Sequence, residues 1–66
     1  MKKFNLYANG KKYSTETGKE LLPDLNEEVR QEVDSLNIGE SYSYTQTIEI
    51  SELHVSRTEW EIERVL

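Results

Sequence analysis

Asn9-Gly10 sits between two short alternating runs, FNLYA and KKYST, and constrains this chain more than any other feature. Both residues accept the positive φ of a type I′ turn, whose twist matches a pair of antiparallel strands. Folding the chain about that turn pairs Ala8 with Lys11, Tyr7 with Lys12, Leu6 with Tyr13 and Phe4 with Thr15. Side chains alternate along a strand, so Phe4, Leu6 and Tyr13 share one face while Tyr7 and Lys12 share the other. A β-hairpin over the first 15 residues is predicted, with one apolar face that needs a cover.

The next segment supplies the cover. Gly18 and Lys19 lead out of the hairpin and Pro23 introduces a helix, with Asp24 as N-cap and Glu27 three residues on completing a capping-box spacing. Leu22, Leu25, Val29, Val33 and Leu36 follow at helical steps, with Glu28, Arg30, Gln31, Glu32 and Asp34 between them. Asn37 and Gly39 are residues that end helices.

From Ser41 the pattern is that of a strand again. Tyr42, Tyr44, Ile48 and Ile50 are even-numbered, as are Trp60 and Ile62, whereas Leu53 and Val55 are odd. A one-residue slip turns every side chain to the opposite face, so a turn or bulge must lie between Ile50 and Trp60. Ser51-Glu52 and Ser56-Arg57-Thr58 are the candidate places, with room for a short extra strand around His54. The expected fold is α+β over residues 1–66, a single small domain in the order ββαββ. One amphipathic helix packs on an antiparallel sheet of about four strands.

A chain of 66 residues buries only about 60% of the surface its unfolded form exposes, and small scaffolds compensate with disulfides, metals or oligomerisation. With no cysteine and one histidine, disulfides, thiolate nucleophiles and Cys- or His-cluster zinc sites are excluded. Good local packing or self-association remains. The apolar residues, 35% of the chain, are periodic rather than scattered, which indicates a folded domain despite 32% charged residues. No apolar run is long enough to span a membrane and the first residues, MKKFNLYANGKK, lack a signal-peptide core, so a cytoplasmic protein is expected.

The net charge of −5 is unevenly spread. Residues 1–19 carry five lysines against Glu16, and residues 20–66 carry twelve acids against three arginines. Such a balance repels free nucleic acid, whose non-specific affinity comes from lysine and arginine neutralising phosphates. Another protein with a basic surface is the natural partner.

Catalytic constellations are missing from the sequence. His54 is the only conventional base, no acid or glycine-rich elbow frames it, and a solvated or packed side chain is its bland reading. Gly10, Gly18 and Gly39 are scattered, unlike the clustered glycines that cradle phosphates. No enzyme activity, cofactor or metal is expected.

The best functional lead is the run TEWEIERVL, which places Glu59, Glu61 and Glu63 on one strand face and Trp60 and Ile62 on the other. Consecutive carboxylates in such a row stand about 6.8 Å apart. That is the wrong geometry for calcium or magnesium, which need oxygens converging on one point. Two readings share the row. It is a solvated face whose charge discourages aggregation, or it imitates the phosphates of a nucleic-acid strand and docks into a basic groove. Glu49 and Glu52 extend it if the last two strands are neighbours. Among the aromatic residues, Phe4, Tyr13 and Trp60 are assigned to the core, Tyr42 and Tyr44 to the core or its edge, and Tyr7 faces outward as a candidate contact. An open sheet edge and the apolar tail Val65-Leu66 also suit a homodimer.

The stretch ETGKELLPDLNEEVRQEV, residues 16–33, resembles part of the uracil-DNA glycosylase inhibitor family of phages, acidic proteins that imitate DNA. The similarity is local to those 18 of 66 residues, and no residue's role is carried over from it. In size and charge the chain is similar to short bacteriophage accessory proteins that bind and block a host enzyme. The reading is therefore a non-enzymatic protein-binding module, in the manner of an acidic inhibitor of a nucleic-acid-handling enzyme. Its candidate contacts are Glu59, Glu61, Glu63, Glu49 and Tyr7. The alternative is a structural, self-assembling subunit.

Overall fold

The computed structural model describes all residues from Met1 to Leu66. Its elements are β1 (Lys3–Ala8), β2 (Lys11–Thr17), α1 (Gly18–Leu21), a 3-10 turn (Leu22–Asp24), α2 (Glu27–Asp34), β3 (Ser41–Ser51) and β4 (His54–Arg64). The four strands form one antiparallel sheet in the order β2-β1-β4-β3. The helical segments cover one of its faces, giving the expected ββαββ α+β architecture.

The first hairpin forms where Asn9-Gly10 predicts it. Asn9 has φ of 51° and Gly10 of 82°, the positive pair of a type I′ turn. Asn9 also ties the turn to the sheet: its N–H donates to Glu59 O at 2.8 Å and its Oδ1 accepts from Glu59 N at 2.9 Å. Ala8 pairs with Lys11 and Tyr7 with Lys12 as expected, but beyond them the ladder slips by one. Leu6 faces Ser14 and Phe4 faces Glu16, not Tyr13 and Thr15, because Tyr13 is the extra residue of a β-bulge. A bulge bends and twists its strand, and here the Tyr13 ring meets Trp60 edge-on at 5.2 Å. Tyr13 is 67% exposed. It flanks Trp60 at the rim and is not the core residue its spacing suggests.

The cover is made of short pieces rather than one helix. Thr17 caps α1 in a capping box, its Oγ1 accepting from Glu20 N at 3.2 Å while its own N–H donates to Glu20 Oε1 at 3.0 Å. Pro23 has no N–H to continue the α-helical ladder, although Leu22 before it keeps helical backbone (φ −58°, ψ −39°). The chain therefore tightens into the 3-10 turn and leaves it at Leu25 in extended conformation (ψ 149°). The second helix starts afresh at Asn26, whose Oδ1 accepts from Val29 N at 3.0 Å, so Asn26 and not Asp24 is the N-cap. Arg30 staples the break, donating at 2.8 Å to the carbonyls of Leu22 and Leu25, the first of which also accepts from Leu25 N. Helix α2 stops at Asp34 with Ser35 as its cap, earlier than Asn37 and Gly39 suggest. Those two residues form the following turn, where Gly39 has φ of 91° and Glu40 N bonds Asn37 O.

The predicted stripe still faces the sheet. Leu25, Val29 and Val33 are buried with Phe4, Leu6 and Ile62, and Leu22 and Leu36 pack against them. Leu21, absent from the helical stripe because α1 is a separate element, is 3% exposed and completes the core. Tyr42, Tyr44 and Trp60 close its rim.

β3 and β4 outrun the rest of the sheet. β1 pairs with β4 only from Trp60 to Arg64, so the β3–β4 ribbon beyond Thr45 and Glu59 projects as an arm and draws the molecule out to 42 × 24 × 17 Å. A turn at Glu52-Leu53 closes the arm, with a bulge at Ile50 beside it. This locates the phase slip. His54 begins β4 and no further strand surrounds it. Ile48, Ile50, Leu53 and Val55 are exposed along the arm.

Candidate functional site

Because every helix lies on one side, the other side of the sheet is uncovered, and β4 runs through its middle. The pairing register sets Glu59 beside Thr45, Glu61 between Ser43 and Tyr7, and Glu63 between Ser41 and Asn5. The three carboxylates thus lie in line on the uncovered face while Trp60 and Ile62 point to the core. Alternation alone dictates this, because β4 is regular from Val55 to Arg64.

Neighbouring side chains hold the row. Tyr7 Oη donates to Glu63 Oε1 at 3.1 Å and Ser41 Oγ to Glu61 Oε2 at 3.1 Å. Glu63 is half-buried between its flanking strands, whereas Glu61 and Glu59 are exposed. The bond to Glu63 holds the Tyr7 phenol above its usual range, helped by partial desolvation and by the negative charge of Glu63. No cation of the chain pairs with the row, since the single ion pair joins Lys2 to Asp34 at 3.0 Å.

The largest hollow of the molecule, about 410 Å³, opens beside this row. Gly10, Ser43, Thr45, Glu59 and Glu61 line it, so the Asn9-Gly10 turn that clamps onto Glu59 also walls the hollow. Gly10 and the Ser/Thr row of β3 are lining residues that the sequence reading did not single out. Finding them requires the β3–β4 register, and that depends on the turn at Glu52-Leu53.

The remaining candidates lie apart. Glu49 is on β3 opposite Val55, beyond the Thr47–Arg57 pair, so Arg57 separates it from Glu59. Glu52 sits in the tip turn. His54 is exposed at the tip with Nδ1 3.1 Å from Ser51 Oγ. No group of three or more histidine, cysteine, aspartate or glutamate side chains converges as a metal site, and no helix is long and apolar enough to cross a membrane.

No protein-family model, curated protein or solved structure matches this chain.

Proposed function

We propose that this chain is a small cytoplasmic protein-binding module without catalytic activity, which docks its uncovered, acidic sheet face on a basic surface of another protein. The observation that carries this reading is the hollow bounded by Glu59 and Glu61 on a face where no cation of the chain forms an ion pair with the row. A lysine or arginine from a partner gains three carboxylates in line and a concave place to enter. Charges in such an arrangement raise the rate of encounter and fix the orientation of docking. Tyr7 adds an aromatic surface next to Glu61 and Glu63, a residue type enriched where binding energy concentrates. A basic groove that ordinarily receives nucleic acid has the matching chemistry, so a nucleic-acid-handling enzyme is the partner class.

A tagged pull-down from host lysate at low and at high salt, with mass spectrometry of what is retained, tests the reading. A basic protein held at low salt and released at high salt supports it, because added salt shortens the Debye length, about 8 Å at physiological ionic strength, and so weakens attraction between exposed charges. Capture that ignores salt would contradict it.

A further inference from the structure

The two edges of the sheet are built differently. β2 carries Lys11 and Lys12 and is bent by the bulge at Tyr13, and such features discourage further pairing. β3 runs 11 residues with no lysine, arginine or proline, has Glu49 as its one charge, and carries its bulge only near its end, at Ile50. Its outward N–H and C=O groups are free. The backbone bonds outside the ladders all lie elsewhere in the chain. The side chains that bond backbone groups do so elsewhere too.

The strand is also symmetric about Gln46. Ser41 mirrors Ser51, Tyr42 mirrors Ile50, Ser43 mirrors Glu49, Tyr44 mirrors Ile48 and Thr45 mirrors Thr47. Two antiparallel copies related by a two-fold axis at Gln46 set Tyr44 against the partner's Ile48, twice, with Tyr42 opposite Ile50, the bulge residue, at the ends of the ladder. Aromatic and β-branched residues are favourable cross-strand pairs. Ile48, 52% exposed in the single chain, gains a neighbour. Moving the centre to Thr45 or Thr47 instead places Gln46 against Tyr44 or Ile48. Of these three centres only Gln46 gives each tyrosine an isoleucine.

From the free edge and this self-complementary sequence we infer that two copies join through β3 into one eight-stranded antiparallel sheet. The pairing is isologous, the same patch meeting itself across a two-fold axis. The helices of both copies lie on one face and both acidic rows on the other. The rows are three strand spacings apart, about 14 Å, which exceeds the Debye length of about 8 Å at physiological salt. Their repulsion is therefore largely screened at physiological salt, so self-association survives added salt, unlike capture of a basic partner, and it stands independently of the acidic face.

Sedimentation across a range of protein and salt concentrations tests the dimer, with paired variants at Thr45 and Thr47, which face each other across the two-fold axis. The wild-type mass should rise twofold from 7.8 kDa with concentration. T45K/T47K sets lysine against lysine and should remain single, whereas T45K/T47E sets lysine against glutamate and should associate again. In the wild type, amide exchange along β3 should slow as concentration rises while that of β2 does not, a readout that needs no variant to fold. A wild-type mass of one chain at every concentration, exchange in β3 that is independent of concentration, association of T45K/T47K like the wild type, or a single T45K/T47E chain would overturn it.

Discussion

Tyr7 and Glu63 meet across β1 and β4 on the uncovered face, the phenol donating to Glu63 Oε1 at 3.1 Å. Only the protonated phenol can donate, and the adjacent carboxylate opposes a second negative charge. Both effects, with partial desolvation, raise the Tyr7 pKa in the fold. With the folded value above the unfolded one, the stability this bond contributes is complete below the ordinary phenol pKa and is lost as pH rises through the raised value. Removing the acceptor charge with Glu63→Gln is expected to lower the Tyr7 titration toward the ordinary range, followed by NMR at the Tyr7 ring. An unmoved titration would contradict the assignment.

Glu20 behaves in the opposite sense. The Thr17 N–H and hydroxyl both donate to its carboxylate, holding its pKa below the usual range. Here the contribution is present above the unfolded pKa and lost as pH falls through the depressed folded one. Urea unfolding at neutral and at strongly acid pH should therefore lose less stability on acidification in Glu20→Gln than in the wild type. Equal losses would show that the capping carboxylate is not linked to folding.

The two caps proposed for α2 separate cleanly by mutation. Asn26→Ala removes the acceptor of Val29 N and should cost about 1 kcal/mol. Asp24→Ala removes an exposed side chain and should stay within about 0.5 kcal/mol of the wild type. Chemical denaturation of both variants measures the difference, and equal costs would return the cap to Asp24.

Phe4 and Ile62 are fully buried where β1 meets β4 beneath the helices. Ile62→Val should cost about 0.5–1.5 kcal/mol and Phe4→Ala about 3–5 kcal/mol. The second figure approaches the whole stability of a small domain, so Phe4→Ala is expected to be largely unfolded by circular dichroism. A cooperatively folded Phe4→Ala variant would place the core elsewhere.

How much of this was legible in the sequence depends on how local each signal is. The Asn9-Gly10 turn, the Leu25-Val29-Val33 stripe and the facing of Glu59, Glu61 and Glu63 follow from period and turn chemistry within a few residues. The bulge at Tyr13 leaves no local mark in the alternation of β2, and the ring it meets, Trp60, is 47 positions away in the chain. The N-cap moved from Asp24 to Asn26 because Pro23 favours a tight turn that consumes Asp24, an effect a capping-box spacing does not encode. The projecting arm required the β3–β4 register as well as the alternation of each strand. Of the candidate site, the acidic row was readable from nine residues, but the hollow beside it is assembled from β3, β4 and the first turn.

The acidic row carries the functional proposal, and its charge reversal is the most direct measurement. Glu59→Lys, Glu61→Lys and Glu63→Lys combined alter side chains on the uncovered face and leave the buried core intact. Binding of wild type and of this triple variant to the captured partner should be compared by calorimetry, with circular dichroism confirming the fold of each. The proposal predicts a folded variant that no longer binds. A folded variant that binds as tightly as the wild type would contradict it.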